Sequence, residues 1–418
     1  MMVGRLVTNS GYLASVLVVA HAVGPAGRGA FAFVTTVILV LAVVLGGGMR
    51  EGFVVFIAQR ASERPQHATN LILAGVTSGL LGAALVLLTL GLVPEIRPTG
   101  VDAASVAIMA CGVFLLCLSS GGNALNLGLQ QFRLIALVQS LFVWLYSAAL
   151  ACVWLIWGMS VHTAAAMWVA LQLSESLPLW ARGLRRTRLG RPNVALLRET
   201  WRYGIRAWVG SFSTYLGFRS DQILMAFLST EAQLGIYAVA VNVSEVSLYL
   251  PQSVGNALLP IAASAPLAER GARTMRVYRL VTLVTTAVVL LGAVSGPFIL
   301  PAMFGHPFAG SVDPFLLLLP GAIPYVASSI FSTSLAASSA PGLSSVGPFA
   351  TLLVNGVLDL VLIPPYGASG AAVASTCGFF FGGVAAFIAF RRVEPAQLKE
   401  LIPRRTDALI IRDFIRRR

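Results

Sequence analysis

The sequence predicts an all-α polytopic membrane protein with about twelve transmembrane helices, from its composition, its apolar runs and its arginines. Of its 418 residues, 57% are hydrophobic and only 11% are charged, whereas a soluble domain typically has about 25% charged residues. A soluble chain this apolar lacks the polar side chains needed to cover its own surface. The composition therefore indicates a protein whose solvent is the lipid bilayer.

Twelve apolar runs are long enough to cross the hydrocarbon core, which requires about 20 mostly apolar residues for each helix. The predicted spans cover residues 5–23, 30–57, 69–93, 103–125, 134–156, 162–181, 203–229, 235–261, 277–303, 313–338, 344–363 and 369–390. The charges of the connections between these spans indicate their orientation.

Basic residues mark one side of the predicted membrane. Of the 29 Lys and Arg residues, 24 fall in connections on one side or in the C-terminal tail, and only Arg28 and Arg97 fall on the other. This asymmetry is the positive-inside signal, and it predicts both termini in the cytoplasm of a multi-pass protein of the cell inner membrane. Because the basic residues form short clusters between apolar runs, no nucleic-acid partner is predicted.

Other sequence features argue against an enzyme or a metalloprotein. The outer loops are all short, whereas membrane polymerases and ligases of surface sugars usually carry a large outer loop or domain. The four cysteines lie inside apolar runs without CxxC spacing or nearby histidines, so neither a metal site nor a disulfide framework is predicted. We therefore expect no catalytic residue, no metal and no cofactor.

An internal repeat divides the chain near its middle. The segment from Pro25 to Gly29 aligns with the segment from Glu231 to Gly235 at an offset of about 206 residues, and each begins a predicted span just after an outer turn. Six spans followed by six in the same orientation indicate two lobes with the substrate path between them. The predicted organisation is an N-terminal lobe, a basic cytoplasmic linker, a C-terminal lobe and a basic cytoplasmic tail, at 1–181, 182–202, 203–390 and 391–418.

Short motifs occur throughout the second lobe and at one turn of the first. They are Gly24-Pro25 with Gly29, Tyr203-Gly204, Arg219-Ser-Asp221, Gly235-Ile-Tyr-Ala, Leu250-Pro251, Leu259-Pro260, Leu319-Pro320-Gly321, Pro341-Gly342, Asn355, Leu358-Asp359, Ile363-Pro364, Tyr366-Gly367 and Gly370-Ala-Ala-Val-Ala-Ser375. Together they resemble the polysaccharide-repeat-unit (O-antigen type) flippases of the multidrug/oligosaccharidyl-lipid/polysaccharide exporter superfamily. The resemblance covers nearly the whole chain.

The resemblance implies two six-helix lobes related by pseudo-two-fold symmetry around a V-shaped central cavity that works by alternating access. The implied cargo is an undecaprenyl-pyrophosphate-linked oligosaccharide, flipped from the inner to the outer leaflet. Membrane lipids and a coupling ion, H⁺ or Na⁺, are the other expected partners.

Four alternatives stay open at this point. A multidrug/cation antiporter of the same superfamily is the leading one. A lipid II flippase fits less well, because those proteins usually carry two extra C-terminal helices. A membrane glycosyltransferase or polymerase lacks the expected loops, and an inactive scaffold would have the same sequence features.

Ionisable residues inside the spans are candidates for the cargo or coupling site, since they are costly in lipid unless they are paired or face water. Arg219 and Glu245 both lie about 15 Å deep on neighbouring antiparallel spans at a helix rise of about 1.5 Å per residue, so we expect them to meet. Arg219 offers a planar fork of donors to a pyrophosphate. Glu245 or Asp221 then competes for it or carries a coupling proton. The alternative is a buried ion pair that fixes helix packing.

The polar residues of the eighth span form a second candidate group. Asn242, Glu245, Gln252 and Asn256 are spaced by 3, 7 and 4 residues, which places them roughly on one face of a continuous helix. A polar stripe on a span must face water or protein. We interpret it as a cavity wall suited to a sugar headgroup.

Other intramembrane polar residues have two possible roles each. Arg50 and Glu51 follow the glycines at 46–48 and indicate a cargo-facing break, or else side chains that snorkel to the surface. Glu175 lies in a polar patch of the sixth span, which is consistent with a cavity wall. Asp359 and Asn355, one turn apart, serve coupling or packing. For His21, a packing hydrogen bond is favoured over a proton relay.

Overall fold

The structure, a computed structural model, describes residues 2–98, 100–264, 267–338, 340–394 and 401, and all regular structure within these ranges is helical. Most of the basic tail expected at 391–418 therefore lies outside the described residues. The α-helices are α1 Met2–Gly46, α2 Met49–Gln59, α3 Arg64–Val86, α4 Ala103–Gly128, α5 Phe132–Trp157, α6 Val161–Thr187, α7 Val194–Gly217, α8 Ser220–Leu228, α9 Glu231–Ser244, α10 Tyr249–Ser264, α11 Leu267–Phe304, α12 Val312–Leu318, α13 Ala322–Ala336 and α14 Val346–Val393.

Two of the helices each contain two predicted spans. α1 breaks at Gly24, where φ is 67°, and α14 breaks at Gly367, where φ is 53°. Both values lie in the left-handed region, which glycine enters without a steric penalty. Among the described residues, eight helical stretches are long and apolar enough to cross a membrane, and these two hold a break each. The two breaks divide these eight stretches into ten segments, and α6 and the α7–α8 segment bring the number to twelve. The predicted architecture of about twelve helical segments is therefore confirmed.

Several spans consist of two helices instead of one. The second span passes from α1 to α2 through Gly47 and Gly48, with φ of 50° and 80°. The seventh is interrupted between α7 and α8, and the eighth has a 3-10 turn, Glu245–Leu248, between α9 and α10. Such breaks leave backbone groups without helical partners and are typical of transporter binding sites.

The chain forms two compact units. The first comprises Met1–Tyr215 and Thr230–Gly235, and the second comprises Leu216–Ser229 and Ile236–Arg418. The lobe boundaries expected from the sequence stay a prediction.

Each unit has its own apolar core. In the first, α2, α3 and α4 pack around the fully buried Phe53, Ile57 and Leu125. In the second, α11, α13 and α14 pack around Phe331, whose ring stacks on that of Phe390 with centroids 4.8 Å apart. These packed helices position the polar groups described below.

The repeated segments contact each other inside the first unit. A Cβ atom on Gly29 would collide with the carbonyl of Glu231, and a Cβ atom on Gly235 would collide with the carbonyl of Pro25. The contact is reciprocal, because residues aligned by the internal repeat exchange places across it. Small residues that let helix backbones approach this closely are common at membrane helix crossings.

A second glycine contact joins α2 to α7 in the same unit. A Cβ on Gly48 would meet the carbonyl of Gly204, and a Cβ on Gly204 would meet the carbonyl of Gly48. One turn further along α2, a Cβ on Gly52 would meet the carbonyl of Thr200. The glycines at 46–48 therefore allow the backbone of the second span to approach α7 closely, and they also break the helix of that span.

The start of α4 is fixed by a polar contact outside the spans. The Asp102 carboxylate accepts a hydrogen bond from the Ser105 backbone N–H at 2.9 Å, and its Oδ1 lies 2.8 Å from Nε2 of His162 at the start of α6. The backbone N–H of Ser105 and the imidazole of His162 lower the pKa of Asp102 to about 2. Asp102 is therefore an N-cap that also links two helix starts.

We predict that Gly29→Ala and Gly235→Ala each lower the melting temperature of the purified protein in detergent, since each inserts a methyl group against a carbonyl. Overpacking of this kind costs about 1–3 kcal/mol. Gly356→Ala is the matched control, because no atom lies within 4 Å of a Cβ at that helical position; it should be neutral or stabilising by about 1 kcal/mol. Equal melting temperatures for Gly29→Ala and Gly356→Ala would contradict the crossing.

We also predict that Asp102→Ala destabilises the protein at pH 7 by about 0.5–2 kcal/mol through loss of the N-cap. The Asp102 pKa is lower in the folded state, so its contribution is present above the unfolded pKa of about 4. It is lost as the pH falls toward 2. Melting temperatures of wild type and variant should therefore converge in this acid range. A difference that persists unchanged at pH 2 would contradict a charged cap.

Candidate functional site

Arg219 lies at the break of the seventh span. α7 ends at Gly217 and α8 begins at Ser220, and Arg219 itself has non-helical torsions of φ −133° and ψ −11°. Beside the break, the rings of Phe218, Tyr325 and Phe379 contact one another with centroids 5.3–5.5 Å apart. The aromatic packing fixes the break, so the position of Arg219 is determined by the backbone around it.

Arg219 forms a two-pronged ion pair with Glu245. Nη1 lies 3.0 Å from Oε1 and Nη2 lies 3.5 Å from Oε2, the parallel geometry that makes arginine–carboxylate pairs strong and directional. Glu245 begins the 3-10 turn of the eighth span. The expected contact of these two residues is therefore present, and it joins two helix breaks. Their side chains are 22% and 19% exposed, so the pair is accessible from outside the packed core.

The other residues of the expected polar stripe lie on α9 and α10, which the 3-10 turn separates. The 3-10 turn has about 3.0 residues per turn against 3.6 in an α-helix, so the register changes between Asn242 and Gln252. Asn242 donates to the carbonyl of Ala238 in its own helix at 2.5 Å, and Gln252 bonds with the hydroxyl of Tyr325. The side chain of Asn256 lies outside the described residues.

A buried polar cluster surrounds Asp221, two residues after Arg219. The hydroxyl of Tyr237 on α9 donates to Oδ2 of Asp221, and the hydroxyl of Ser375 on α14 lies 3.2 Å from the same oxygen. Ser375 also lies 3.4 Å from Oδ1 of Asn355, whose amide donates to the carbonyl of Gly217 at 3.4 Å. The cluster thus connects α8, α9 and α14 to the end of α7.

Asp359 extends this cluster on α14. Its side chain is fully buried, and neither carboxyl oxygen has a hydrogen-bond partner among the described residues. It interacts electrostatically with Asp221 and with Tyr237. A buried, unpaired carboxylate is unfavourable, because burial removes its hydration without replacing it. Asp359 therefore fits a group that binds a proton or a cation.

The donor set of the cluster is all oxygen, from two carboxylates, an amide and two hydroxyls. Such ligands suit a proton or a hard cation. Among the described residues, no group of three or more His, Cys, Asp or Glu side chains is placed to hold a metal ion.

Glu175 occupies a separate polar position in the first unit. Its side chain is buried on α6, and Oε1 has no hydrogen-bond partner within the described part of the chain. Tyr12 on α1 interacts electrostatically with Glu175 and with Tyr215. Glu175 is thus a buried acidic group that interacts electrostatically with one tyrosine.

The remaining predicted residues of the first unit are not joined into one site. Arg50 is exposed and Glu51 is half-buried, and neither forms an ion pair within the described residues. Arg50 lines a recess together with Gly46, Ser78 and Ser120. His21 is exposed, and its Nδ1 lies 3.0 Å from the carbonyl of Leu17 in its own helix.

Sequence reasoning missed Tyr237 and Ser375. Both lie within motifs that carried the family resemblance, Gly235-Ile-Tyr-Ala and Gly370-Ala-Ala-Val-Ala-Ser375. A lone hydroxyl in an apolar run carries no charge, however, and a search for intramembrane charges passes over it. Only the packing of α9 and α14 against α8 shows that they contact Asp221.

Solved structures with the same fold include a lipid II flippase and transporters of the MOP superfamily. A lipid II flippase MurJ in an inward closed conformation matches with a TM-score of 0.77 and 13% identity, over 99% of this chain and 92% of its own. An inward-facing multidrug resistance MATE family transporter of the MOP superfamily matches with a TM-score of 0.72 and 16% identity, over 92% of this chain and 94% of its own. A MOP superfamily transporter from Pyrococcus furiosus matches with a TM-score of 0.66 and 15% identity, over 94% of this chain and 93% of its own.

Comparison with curated proteins gives no match. A family model described as "Polysaccharide biosynthesis protein" matches residues 18–313, more than half of the chain. The match confirms the family resemblance of the sequence motifs. With a fold shared with MOP superfamily transporters, this chain belongs to the polysaccharide biosynthesis protein family.

Proposed function

We propose that the protein is a flippase that carries an undecaprenyl-pyrophosphate-linked oligosaccharide from the inner to the outer leaflet by alternating access. The observation that carries this proposal is the partly exposed Arg219–Glu245 pair at two helix breaks. Membership of a polysaccharide biosynthesis family and the fold of a lipid II flippase support it. The positive-inside distribution supports an inner-membrane location with both termini in the cytoplasm.

Arg219 is the proposed contact for the pyrophosphate. Its guanidinium already forms a two-pronged pair with a carboxylate, and phosphate oxygens match the same fork. An arriving pyrophosphate therefore replaces Glu245 on Arg219 without a change in the geometry of the donors. When the cargo leaves, Glu245 pairs with Arg219 again, so that the arginine stays paired in the membrane throughout the cycle.

The Asp221–Asp359 cluster is the proposed site of the coupling ion, H⁺ or Na⁺. The partnerless carboxyl of Asp359 supports this assignment. Asn355 lies one turn from Asp359 and bonds to the carbonyl of Gly217, at the break where Arg219 resides. Binding of the ion near Asp359 is thus connected to the cargo contact through Asn355 and Asp221.

The second candidate function is a multidrug/cation antiporter. Glu175 favours it, because a buried acidic group with a tyrosine neighbour suits an organic cation better than a pyrophosphate. The fold is equally compatible with it, since a multidrug resistance transporter is among the similar structures.

We predict that Arg219→Ala slows the clearance of lipid-linked repeat units. In cells lacking the gene, undecaprenyl-linked oligosaccharide should accumulate, as measured by mass spectrometry, and wild type should clear it. Loss of a charged, bidentate contact should slow clearance at least about 10-fold. Arg206→Gln, which removes an exposed arginine of the same span, should behave as wild type.

The double variant Arg219→Ala/Glu245→Ala separates cargo binding from packing. It leaves no unpaired charge, so a purely structural pair predicts recovery of clearance, whereas a cargo contact predicts that clearance stays lost. Sensitivity to cationic drugs without accumulated oligosaccharide in the deletion strain would instead support the antiporter.

We further predict that Asp359→Asn removes the response of the protein to its coupling ion. The amide has the shape of the carboxyl but neither releases a proton nor balances a cation. Melting temperatures of the purified protein should depend on Na⁺ or on pH in wild type and depend less on the same variable in Asp359→Asn. Asp313→Asn, at an exposed position of α12, is the control. Equal ion dependence in wild type and Asp359→Asn would exclude Asp359 from coupling.

A further inference from the structure

The loop between α6 and α7, residues 188–193, is held by hydrogen bonds to the start of α3. We call the hydrogen bonds that join Pro65, Thr69 and Asn70 to this loop the clasp. The Asn70 side chain bonds to both backbone groups of Asn193: its amide donates to the carbonyl at 2.7 Å, and its Oδ1 accepts from the N–H at 3.0 Å. The Thr69 hydroxyl donates to the carbonyl of Gly190 at 2.8 Å, and the N–H of Gly190 donates to the carbonyl of Pro65 at 2.9 Å. The connection between α6 and α7 is thus held by its backbone.

Three more observations indicate that surrounding contacts determine the conformation of the loop. Arg60 forms a two-pronged pair with Glu199 on α7, with Nη2 2.7 Å from Oε1 and Nη1 3.0 Å from Oε2. Arg188 has φ of 59° and ψ of −175°, an unfavourable backbone conformation that persists only where surrounding contacts enforce it. Gly190 lies so close to α3 that a Cβ atom there would be 2.9 Å from the backbone N of Gln66.

The region from 182 to 202 is strongly basic. Glu199 is the only acidic residue between 176 and 220, and Arg60 already occupies it. None of the arginines from 182 to 202 has a side-chain partner within the described residues, and all are exposed: Arg182, Arg185, Arg186, Arg188, Arg191, Arg198 and Arg202. These charges are presented from positions that the clasp fixes.

Apolar side chains are exposed among these arginines. Leu189 is 59% exposed and Val194 is 76% exposed, and the aromatic residues Trp201 and Tyr203 are exposed nearby. Trp and Tyr beside arginines are typical of the level at which lipid headgroups meet the hydrocarbon. The loop joins two predicted spans, which places it at this level.

We propose that the clasped loop, with the last turn of α6, is a binding site for the phosphate groups of anionic phospholipids. Exposed guanidinium groups bind phosphate oxygens, while Leu189 and Val194 insert beside the acyl chains. The defined backbone distinguishes this site from a general attraction of positive charge to a negative membrane. The proposal goes beyond the cargo function and is independent of it, because it concerns the surrounding bilayer lipid.

The test compares binding of phosphatidylglycerol and phosphatidylcholine to the full-length protein in uncharged detergent, by native mass spectrometry and by melting temperature. Wild type should bind phosphatidylglycerol preferentially. Arg188→Gln/Arg191→Gln should bind it roughly 30-fold more weakly, since each basic residue near an anionic surface contributes a factor of about 5. Arg133→Gln/Arg276→Gln, which removes two exposed arginines elsewhere, should leave the preference intact. Equal losses in the two double variants, or no loss in the first, would overturn the proposal.

Variants of the clasp test whether the site is built or diffuse. Asn70→Ala and Thr69→Val change no charge but release the loop backbone, and each should weaken phosphatidylglycerol binding by about 5-fold, the equivalent of one hydrogen bond. A melting transition in phosphatidylcholine verifies that each variant folds. If Asn70→Ala does not fold, the binding measurement is made on Thr69→Val alone. Wild-type binding by a folded clasp variant would show a diffuse attraction and overturn the assignment. None of these readouts involves the oligosaccharide.

Discussion

The free-energy cost of an unpaired polar group inside a bilayer determines how the polar side chains of the second unit are arranged. Hydrocarbon offers no water to solvate a charge, so an arginine midway through a span is tolerated only in a paired or water-facing position. Arg219 meets this requirement with Glu245, and both residues lie where their helices are interrupted. Asp221, with Tyr237, Ser375 and Asn355, meets it through a hydrogen-bonded cluster in which each hydroxyl serves more than one neighbour.

Broken helices make this arrangement possible. A continuous span would satisfy its own backbone and present side chains at a fixed angular spacing. The breaks at Arg219 and Glu245 instead turn two side chains toward each other and free backbone carbonyls such as that of Gly217, which Asn355 then binds. Asp359, whose carboxyl oxygens have no hydrogen-bond partner among the described residues, interacts with Asp221 of this network. The proposed ion site and the proposed cargo contact therefore share one set of neighbours.

Sequence reasoning succeeded where the depth of a residue along its helix was enough to predict a contact. The meeting of Arg219 with Glu245 followed from equal depth on adjacent antiparallel spans. Sequence reasoning did not foresee the 3-10 turn within the stripe from Asn242 to Asn256, so the cavity wall stays a prediction. It also passed over Tyr237, since an uncharged hydroxyl in an apolar run gives no compositional signal, and over the clasp by Asn70, which joins positions 123 residues apart.

The reciprocal contact of Gly29 with Glu231 and of Gly235 with Pro25 bears on how such a chain arises. Positions related by the repeat exchange places across this crossing, as identical surfaces do at the interface of a symmetric dimer. A half-length precursor that paired with itself would have met the steric demand with one glycine, supplied to both sides by the same codon. In the present chain that demand falls on two separate codons, and a change in either one alone prevents the close approach of both backbones.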